Sequence, residues 1–219
     1  MKKIIIILVS SLVLFSCGGG ENHVEAKEAQ KVEHKQASAE SVVYSKIKDG
    51  SVVKWKGSII GGVKSHNGVL KLKKAEIVAG ENGVEKAKVL IDMKSIHALD
   101  IPTSEQDYID LVGHLNSPDF FNTAQFPDAD FEITKISKKE GNNYSVTGNL
   151  TLMGVTKSIT FDAIVETTPN AVHVKSVPFT IDRTQWGVNF HSEGTPGIPT
   201  NRIISNDITL EIDITIEVA

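Results

Sequence analysis

The most regular pattern in this chain is an alternation of apolar and polar residues at its C-terminal end. Apolar side chains occupy every second position from Ile208 to Val218, and threonine, glutamate and aspartate lie between them. A period of two is typical of an antiparallel strand with one buried face and one face in water. The pattern therefore predicts a long strand that closes a sheet-based domain.

Shorter segments with the same alternation recur upstream, separated by turn-forming sequences. Their apolar faces are Val53, Trp55, Gly57 and Ile59; Leu70 and Leu72; Ala87, Val89, Ile91 and Met93; Phe131 and Ile133; Val146, Gly148, Leu150 and Leu152; and Ile159, Phe161, Ala163 and Val165. The predicted turns are Asp49-Gly50, Gly61-Gly62, His66-Asn67-Gly68, Glu81-Asn82-Gly83, Glu140-Gly141-Asn142-Asn143 and Thr168-Pro169-Asn170. Such turns favour hairpins over crossover helices. We expect an all-β domain of about eight antiparallel strands.

One segment departs from this pattern. From Ser104 to Asn116, the residues Tyr108, Leu111, Val112 and Leu115 recur at helical spacing. Ser104 is a suitable N-cap residue. The segment predicts one short helix that interrupts the strands.

The N-terminal residues have the pattern of an export signal. Two lysines precede an apolar run from Ile4 to Leu14, which is shorter than the roughly 20 residues that a membrane-spanning helix needs. Leu14-Phe15-Ser16-Cys17 resembles the bacterial lipobox and predicts lipid attachment at Cys17. The alternative is an ordinary secretory cleavage site with an unmodified cysteine.

Residues 17–41 are predicted to form a lipidated N-terminus and a flexible tether after a signal peptide over residues 1–16. The stretch is mostly polar and small, and a coil of its length spans about 25 to 30 Å. The folded domain is then expected over residues 42–219. This organisation predicts an exported, membrane-anchored lipoprotein of the bacterial cell envelope, with its domain in the periplasm.

Charge and cysteine content narrow the range of partners and stabilising devices. Loss of Lys2 and Lys3 with the signal would change the formal charge from -4 to -6, which argues against nucleic acid as a partner. Cys17 is the only cysteine, so no intramolecular disulfide can form. Packing alone must stabilise the domain, and the oligomeric state is not determined by the sequence.

The residues show no recognisable catalytic or cofactor motif. The seven histidines have no zinc-ligand spacing, and there is no P-loop, dinucleotide fingerprint or nucleophile elbow. Asp107, Asp110 and His114 would share a face of the predicted helix, where a solvated surface is the commoner outcome. We expect no enzyme activity, no metal and no cofactor other than a bound lipid.

Three stretches resemble the YceI-like family of exported lipid-binding proteins. They are the run from His114 to Phe121 followed by Phe126 to Phe131, the run from Val146 to Lys157, and the run from Ile181 to Val188. The resemblance covers roughly residues 42–219 and implies a lipocalin-like antiparallel barrel around an elongated apolar pocket for a polyisoprenoid or similar amphiphile. Many family members begin with Asp-x-x-His-Ser, which this chain lacks, so no headgroup contact is transferred.

The resemblance leads to a hypothesis of non-catalytic binding or carriage of a polyisoprenoid or similar long-chain lipid. The predicted ligand-binding walls are Trp55, Leu72, Val89, Ile91, Phe131, Leu150, Leu152, Phe161 and Phe179. Each of these side chains could equally belong to a dry core. Two alternatives stay open: a barrel with a filled core that binds another envelope protein, and a hydrolase that uses His114 or His191.

Overall fold

The computed structural model describes residues 22–32, 40–60 and 64–219. Within them the chain forms strands and one α-helix, with two short 3-10 helices at Arg183–Trp186 and Thr200–Arg202. The elements are β1 (Lys27–Glu28), β2 (Val42–Ile47), β3 (Val52–Ile59), β4 (Ser65–Gly80), β5 (Gly83–Ala98), α1 (Gln106–Asn116), β6 (Asp128–Lys138), β7 (Asn143–Leu152), β8 (Val155–Thr167), β9 (Ala171–Ser176), β10 (Phe179–Asp182) and β11 (Ile204–Val218).

The strands close into a barrel with eight positions around its wall. Neighbours from β4 to β8 pair in chain order, and every strand pair is antiparallel. β2 and β3 together fill one position between β4 and β11. β9 and β10 follow each other along the opposite edge of β11. The predicted all-β antiparallel barrel of about eight strands is confirmed in the eight positions of its wall, which eleven strands form in the described residues because some positions are shared and the short β1 adds to the edge of β8.

The long C-terminal strand carries the alternation that the sequence predicted. Ile208, Ile214 and Ile216 are buried, while Thr209, Glu211 and Asp213 alternate with them. β11 pairs with β2, β3, β9 and β10, so its apolar face reaches the core along its length. The strand is long because it must close the wall on both sides.

One predicted turn is wrong. His66-Asn67-Gly68 lies inside β4, where Gly68 pairs with Trp55 on one side and with Ala98 on the other. A Cβ atom at Gly68 would lie 1.8 Å from the His97 carbonyl oxygen and 2.7 Å from Trp55 Cζ2. The glycine is therefore present for close packing within a strand. Residues 61–63 lie outside the described residues, and the other predicted turns connect strands as expected.

The predicted helix is present, although Ser104 does not cap it. The helix begins after Glu105, which makes no side-chain capping hydrogen bond. Leu115 is buried, and Tyr108, Leu111 and Val112 pack against the core as predicted. The Tyr108 hydroxyl lies 2.7 Å from His97 Nδ1, which joins the helix to the end of β5.

The N-terminal stretch differs from the predicted tether because residues 22–32 lie against the barrel. We call this segment the strap. Val24 and Ala26 pack towards the core, whereas the intervening His23, Glu25 and Lys27 are exposed. The edges of the barrel strands carry backbone N–H and C=O groups that are not paired within the sheet. The strap is ordered because it forms hydrogen bonds with these groups. Cys17 and the predicted signal peptide lie outside the described residues.

Candidate ligand-binding cavity

The barrel encloses two apolar cavities. The first has a volume of about 110 Å³ and lies towards the end that carries α1. The second, of about 70 Å³, lies further along the barrel. Val53 and Ile91 line both, so the two spaces adjoin at these side chains. The interior is therefore partly hollow, and apolar spaces of this kind stay dry.

Most of the predicted wall residues line one of these spaces. Trp55, Leu150 and Leu152 line the first cavity, and Ile91 lines both. Four more of the predicted residues line the second cavity, namely Leu72, Val89, Phe131 and Phe161. Phe179 lines neither cavity. Its ring stacks on that of Phe161 with centroids 4.6 Å apart. Whether these side chains contact a ligand stays a prediction.

The first cavity is capped by the segment after α1. Leu115, Phe120 and Phe121 are buried there and form part of its wall. The two phenylalanine rings meet edge to face, with centroids 5.0 Å apart. Such an arrangement favours a rigid aromatic plug. The cap closes one end of the barrel.

Arg183 holds a second loop over the same end. Its guanidinium is fully buried and donates to the carbonyl oxygens of Val188, Phe190, Ile204 and Ser205 at 2.5 to 3.1 Å. Burial lowers the pKa of Arg183, although the nearby Asp182 and Glu193 act to raise it. An arginine in a protein nevertheless keeps its charge. Since four of its five N–H donors serve carbonyls, Arg183 is a structural clamp rather than a free anion site.

Asp182 orders the turn that carries this clamp. Its carboxylate accepts hydrogen bonds from the Thr184 amide and hydroxyl and from Gln185 Nε2. Burial acts to raise the pKa of Asp182, but these hydrogen bonds and the charge of Arg183 lower it below its ordinary value. The ionised carboxylate is therefore the form that the fold stabilises.

Trp186 ties the same turn to the barrel wall. Its indole is fully buried and donates a hydrogen bond to the Leu150 carbonyl oxygen at 3.0 Å. The indole of Trp55 differs, because its buried Nε1 has no hydrogen-bond partner. An unpaired buried donor costs about 1 to 3 kcal/mol. The ring of this tryptophan packs closely against Gly68.

The opposite end of the barrel is also closed. Tyr44 is buried and donates from its hydroxyl to the Thr168 carbonyl oxygen at 2.8 Å. Tyr144, Val172 and Ile216 are buried nearby along the adjoining strands. These side chains cover this end of the barrel.

The histidines that the hydrolase alternative invoked are packed against one aromatic ring. His114 meets Phe190 edge to face at 4.6 Å, and His191 stacks on the same ring at 4.0 Å. Asp110, another helix residue considered above, accepts a hydrogen bond from Gln106. The described part of the chain contains no group of three acidic, histidine or cysteine residues that could hold a metal. It also contains no helix long and apolar enough to span a bilayer.

Comparison with known proteins identifies the family. The model of the YceI-like domain matches residues 38–216. The chain belongs to the YceI-like family. A UPF0312 protein of Photorhabdus laumondii is 43% identical over 83 residues, which are 38% of this chain and 40% of that protein. A UPF0312 protein of Yersinia pestis is 43% identical over 79 residues, 36% of each chain. These alignments span about two fifths of the curated relatives' length.

Two solved structures share the fold of this chain. BcnA of Burkholderia cenocepacia has a TM-score of 0.57 at 19% identity, with 74% of this chain and 95% of that chain covered. A polyisoprenoid binding domain from Saccharophagus degradans, implicated in plant cell wall breakdown, has a TM-score of 0.59 at 15% identity, with coverages of 81% and 99%. At these identities the likeness shows the fold alone.

Some wall residues were absent from the predicted set. Gly57, Ile181, Ile208 and Leu210 also line the first cavity, as do the capping residues. Gly57, Ile208 and Leu210 lie on faces that the alternation had already marked as apolar, so the pattern could have identified them. No periodic pattern marks Arg183, because its position depends on a loop that folds back over the barrel.

Proposed function

We propose that the protein binds a polyisoprenoid or similar long-chain amphiphile inside the barrel, without catalysing a reaction. The observation that carries the proposal is the pair of adjoining cavities whose linings are predominantly apolar. The hollow interior argues against a filled core that serves only as an interaction module. The Saccharophagus degradans domain of the same fold is a polyisoprenoid binding domain by name, which supports this ligand class.

The polar groups near the cavities favour a neutral ligand. Arg183 is the cationic residue in the wall of the first cavity, and it already serves four carbonyl oxygens. An anionic headgroup placed beside it would compete with those bonds. We therefore expect the buried part of the ligand to be hydrocarbon, and any charged headgroup to stay near the surface.

The size of the cavities requires some movement of the walls. Pockets for small molecules usually have volumes of about 300 to 1,000 Å³, so neither space alone holds a long chain. Rotation of Val53 and Ile91, which line both spaces, would join them. Burial of about 600 Å² of apolar ligand surface would supply about 15 kcal/mol. Association costs of roughly half that amount would leave micromolar affinity.

The anchor belongs to the same proposal. If Cys17 carries a lipid, five residue steps separate it from Asn22, a reach of at most about 18 Å. The strap would then hold one side of the barrel close to the membrane surface of the cell envelope. Such a position suits a protein whose ligand resides in that membrane.

Co-purification tests the binding proposal. The full chain is expressed in a bacterial host, purified, and analysed by native mass spectrometry and by organic extraction. We expect a bound lipid of one or a few defined masses. A protein that emerges empty, and that also takes up no isoprenoid or fatty amide when these are supplied, would overturn the proposal.

A further inference from the structure

The barrel wall is interrupted between β8 and β10. β9 pairs with β8 from Ala163 to Thr167, and the Val177 amide then donates to the Asp162 carbonyl oxygen. Beyond that point β10 pairs with β11 but not with β8. The edge of β8 from Val155 to Phe161 and the facing edge of β10 therefore diverge. We call this gap in the wall the seam.

The strap fills the seam in the manner of a missing strand. On the β10 side, the Val24 amide donates to the Thr180 carbonyl oxygen at 2.9 Å, and the Thr180 amide donates to the Asn22 carbonyl oxygen at 2.8 Å. On the β8 side, Lys27 pairs with Ser158 and Glu28 with Lys157. The strap runs parallel to β10 and antiparallel to β8, as an additional strand at this position would.

The seam leads towards the first cavity. Ile181 on β10 lines that cavity, and so do Leu150 and Leu152 on β7, the strand beyond β8. The inner side of the seam is closed by side chains alone: Trp186 near one end, and the stacked rings of Phe161 and Phe179 near the other. Elsewhere paired strands, the cap after α1 and the loop held by Arg183 form the wall of this cavity.

The side-chain contacts of the strap are exposed. Asn22 Nδ2 donates to the Pro178 carbonyl oxygen, the Gln30 backbone exchanges two hydrogen bonds with the Asn149 side chain, and the Gln30 side chain accepts one from Thr134. Glu28 forms an ion pair with Lys157 at 2.8 Å, but the Glu28 side chain is 94% exposed. His23 lies 3.2 Å from Asp207, and both side chains are substantially exposed. Exposed ion pairs contribute little. Beneath the strap, by contrast, Ser158 and Thr180 are almost fully buried, although they occupy the outward positions of their strands.

We propose that the seam is the lateral entrance of the barrel and that the strap is its removable cover. The inference rests on the proposed function, since it describes the path of the same hydrophobic ligand. Large buried side chains cover both ends of the barrel, whereas the strap is held by edge hydrogen bonds, exposed polar contacts and the packing of Val24 and Ala26. A chain-like ligand then enters the barrel between β8 and β10 from the membrane side. This path does not cross the cap that the segment after α1 forms.

Loading kinetics test this path. Phosphatidylcholine vesicles that contain a prenylated benzoquinone supply the probe, and quenching of Trp55 and Trp186, the two tryptophans of the chain, reports its arrival. The full chain with Cys17→Ser is the parent. Val24→Pro removes the amide that bonds to Thr180, and we expect loading at least fivefold faster. Glu25→Pro, at the neighbouring exposed position, should stay within twofold of the parent.

Engineered disulfide bonds test the opposite change, in which the strap can no longer leave the seam. His23→Cys with Thr180→Cys, combined with Glu28→Cys and Lys157→Cys, joins the strap to both sides of the seam, with the pairing verified by peptide mass mapping. We expect loading at least tenfold slower when oxidised, and recovery on reduction. The control is Thr147→Cys with Thr160→Cys, a facing pair on the other edge of β8 whose hydroxyls lie 2.9 Å apart.

The outcomes separate the two proposals. If the disulfides between the strap and the seam slow loading and the control disulfide does not, the lateral entrance is supported. In a second outcome, the parent loads but neither the strap disulfides nor Val24→Pro change the rate of loading. The entrance then lies elsewhere and the strap proposal is overturned, while the proposed ligand binding is unaffected. A parent that takes up no quinone or other isoprenoid overturns both.

Discussion

Gly57 offers a way to fill the first cavity without disturbing its walls. The residue lies on the inward face of β3 with Val53 and Trp55, and it lines the cavity. A Cβ atom added at Gly57 would have no neighbour within 4 Å. Its φ is not in the left-handed region, so a larger residue can adopt the same backbone. We predict that Gly57→Leu places a side chain in the empty space.

The structure sets the expected size of the effect. At about 24 cal/mol per Å³, a cavity of about 110 Å³ corresponds to about 2.6 kcal/mol of stability if it is filled completely. Replacement of a glycine within a strand adds roughly 0.5 to 1 kcal/mol. Imperfect packing lowers the sum. We expect a gain of about 1 to 3 kcal/mol, which raises the Tm of a domain of this size by roughly 3 to 10 °C.

Two measurements check the prediction together. Thermal unfolding reports stability, and extraction with mass spectrometry reports the amount of lipid bound. Gly57→Leu should be more stable than the parent and should retain less than a tenth of its lipid. The control is Gly113→Ala on α1, where open space surrounds the added Cβ; it should gain about 1 kcal/mol without losing ligand. A Gly57→Leu protein that loads as much lipid as the parent would refute the assignment of the cavity.

Two further predictions concern the loop over the capped end. Arg183→Met leaves four carbonyl oxygens without their donor, so denaturant unfolding should show a loss of about 3 to 5 kcal/mol; a loss below 1 kcal/mol would contradict the clamp. Because the folded protein lowers the pKa of Asp182, its contribution is fully present above the unfolded value of about 3.9 and is lost as the pH falls through the lower folded pKa. Asp182→Asn should therefore flatten the fall in stability below about pH 4, as measured by urea unfolding across pH, and an unchanged slope would speak against this linkage.

Periodicity determined the class of the fold because burial of one face of a strand requires every second residue to be apolar. The alternation from Ile208 to Val218 therefore identified β11, and the same reasoning marked most of the residues that line the cavities. The helix was found through its apolar stripe. Its first residue was misplaced because a cap depends on local geometry that residue type only biases.

Tertiary structure decided the features that depend on contacts between residues that are distant in the sequence. Gly68 reads as a turn in the sequence, yet the Trp55 ring and the His97 carbonyl require it inside a strand. The polar strap reads as coil, because its order comes from edges of β8 and β10 that exist only once the barrel has formed. The alternation could not distinguish a hollow barrel from a filled one, since both bury the same faces. That difference arises from how the side chains of opposite strands meet.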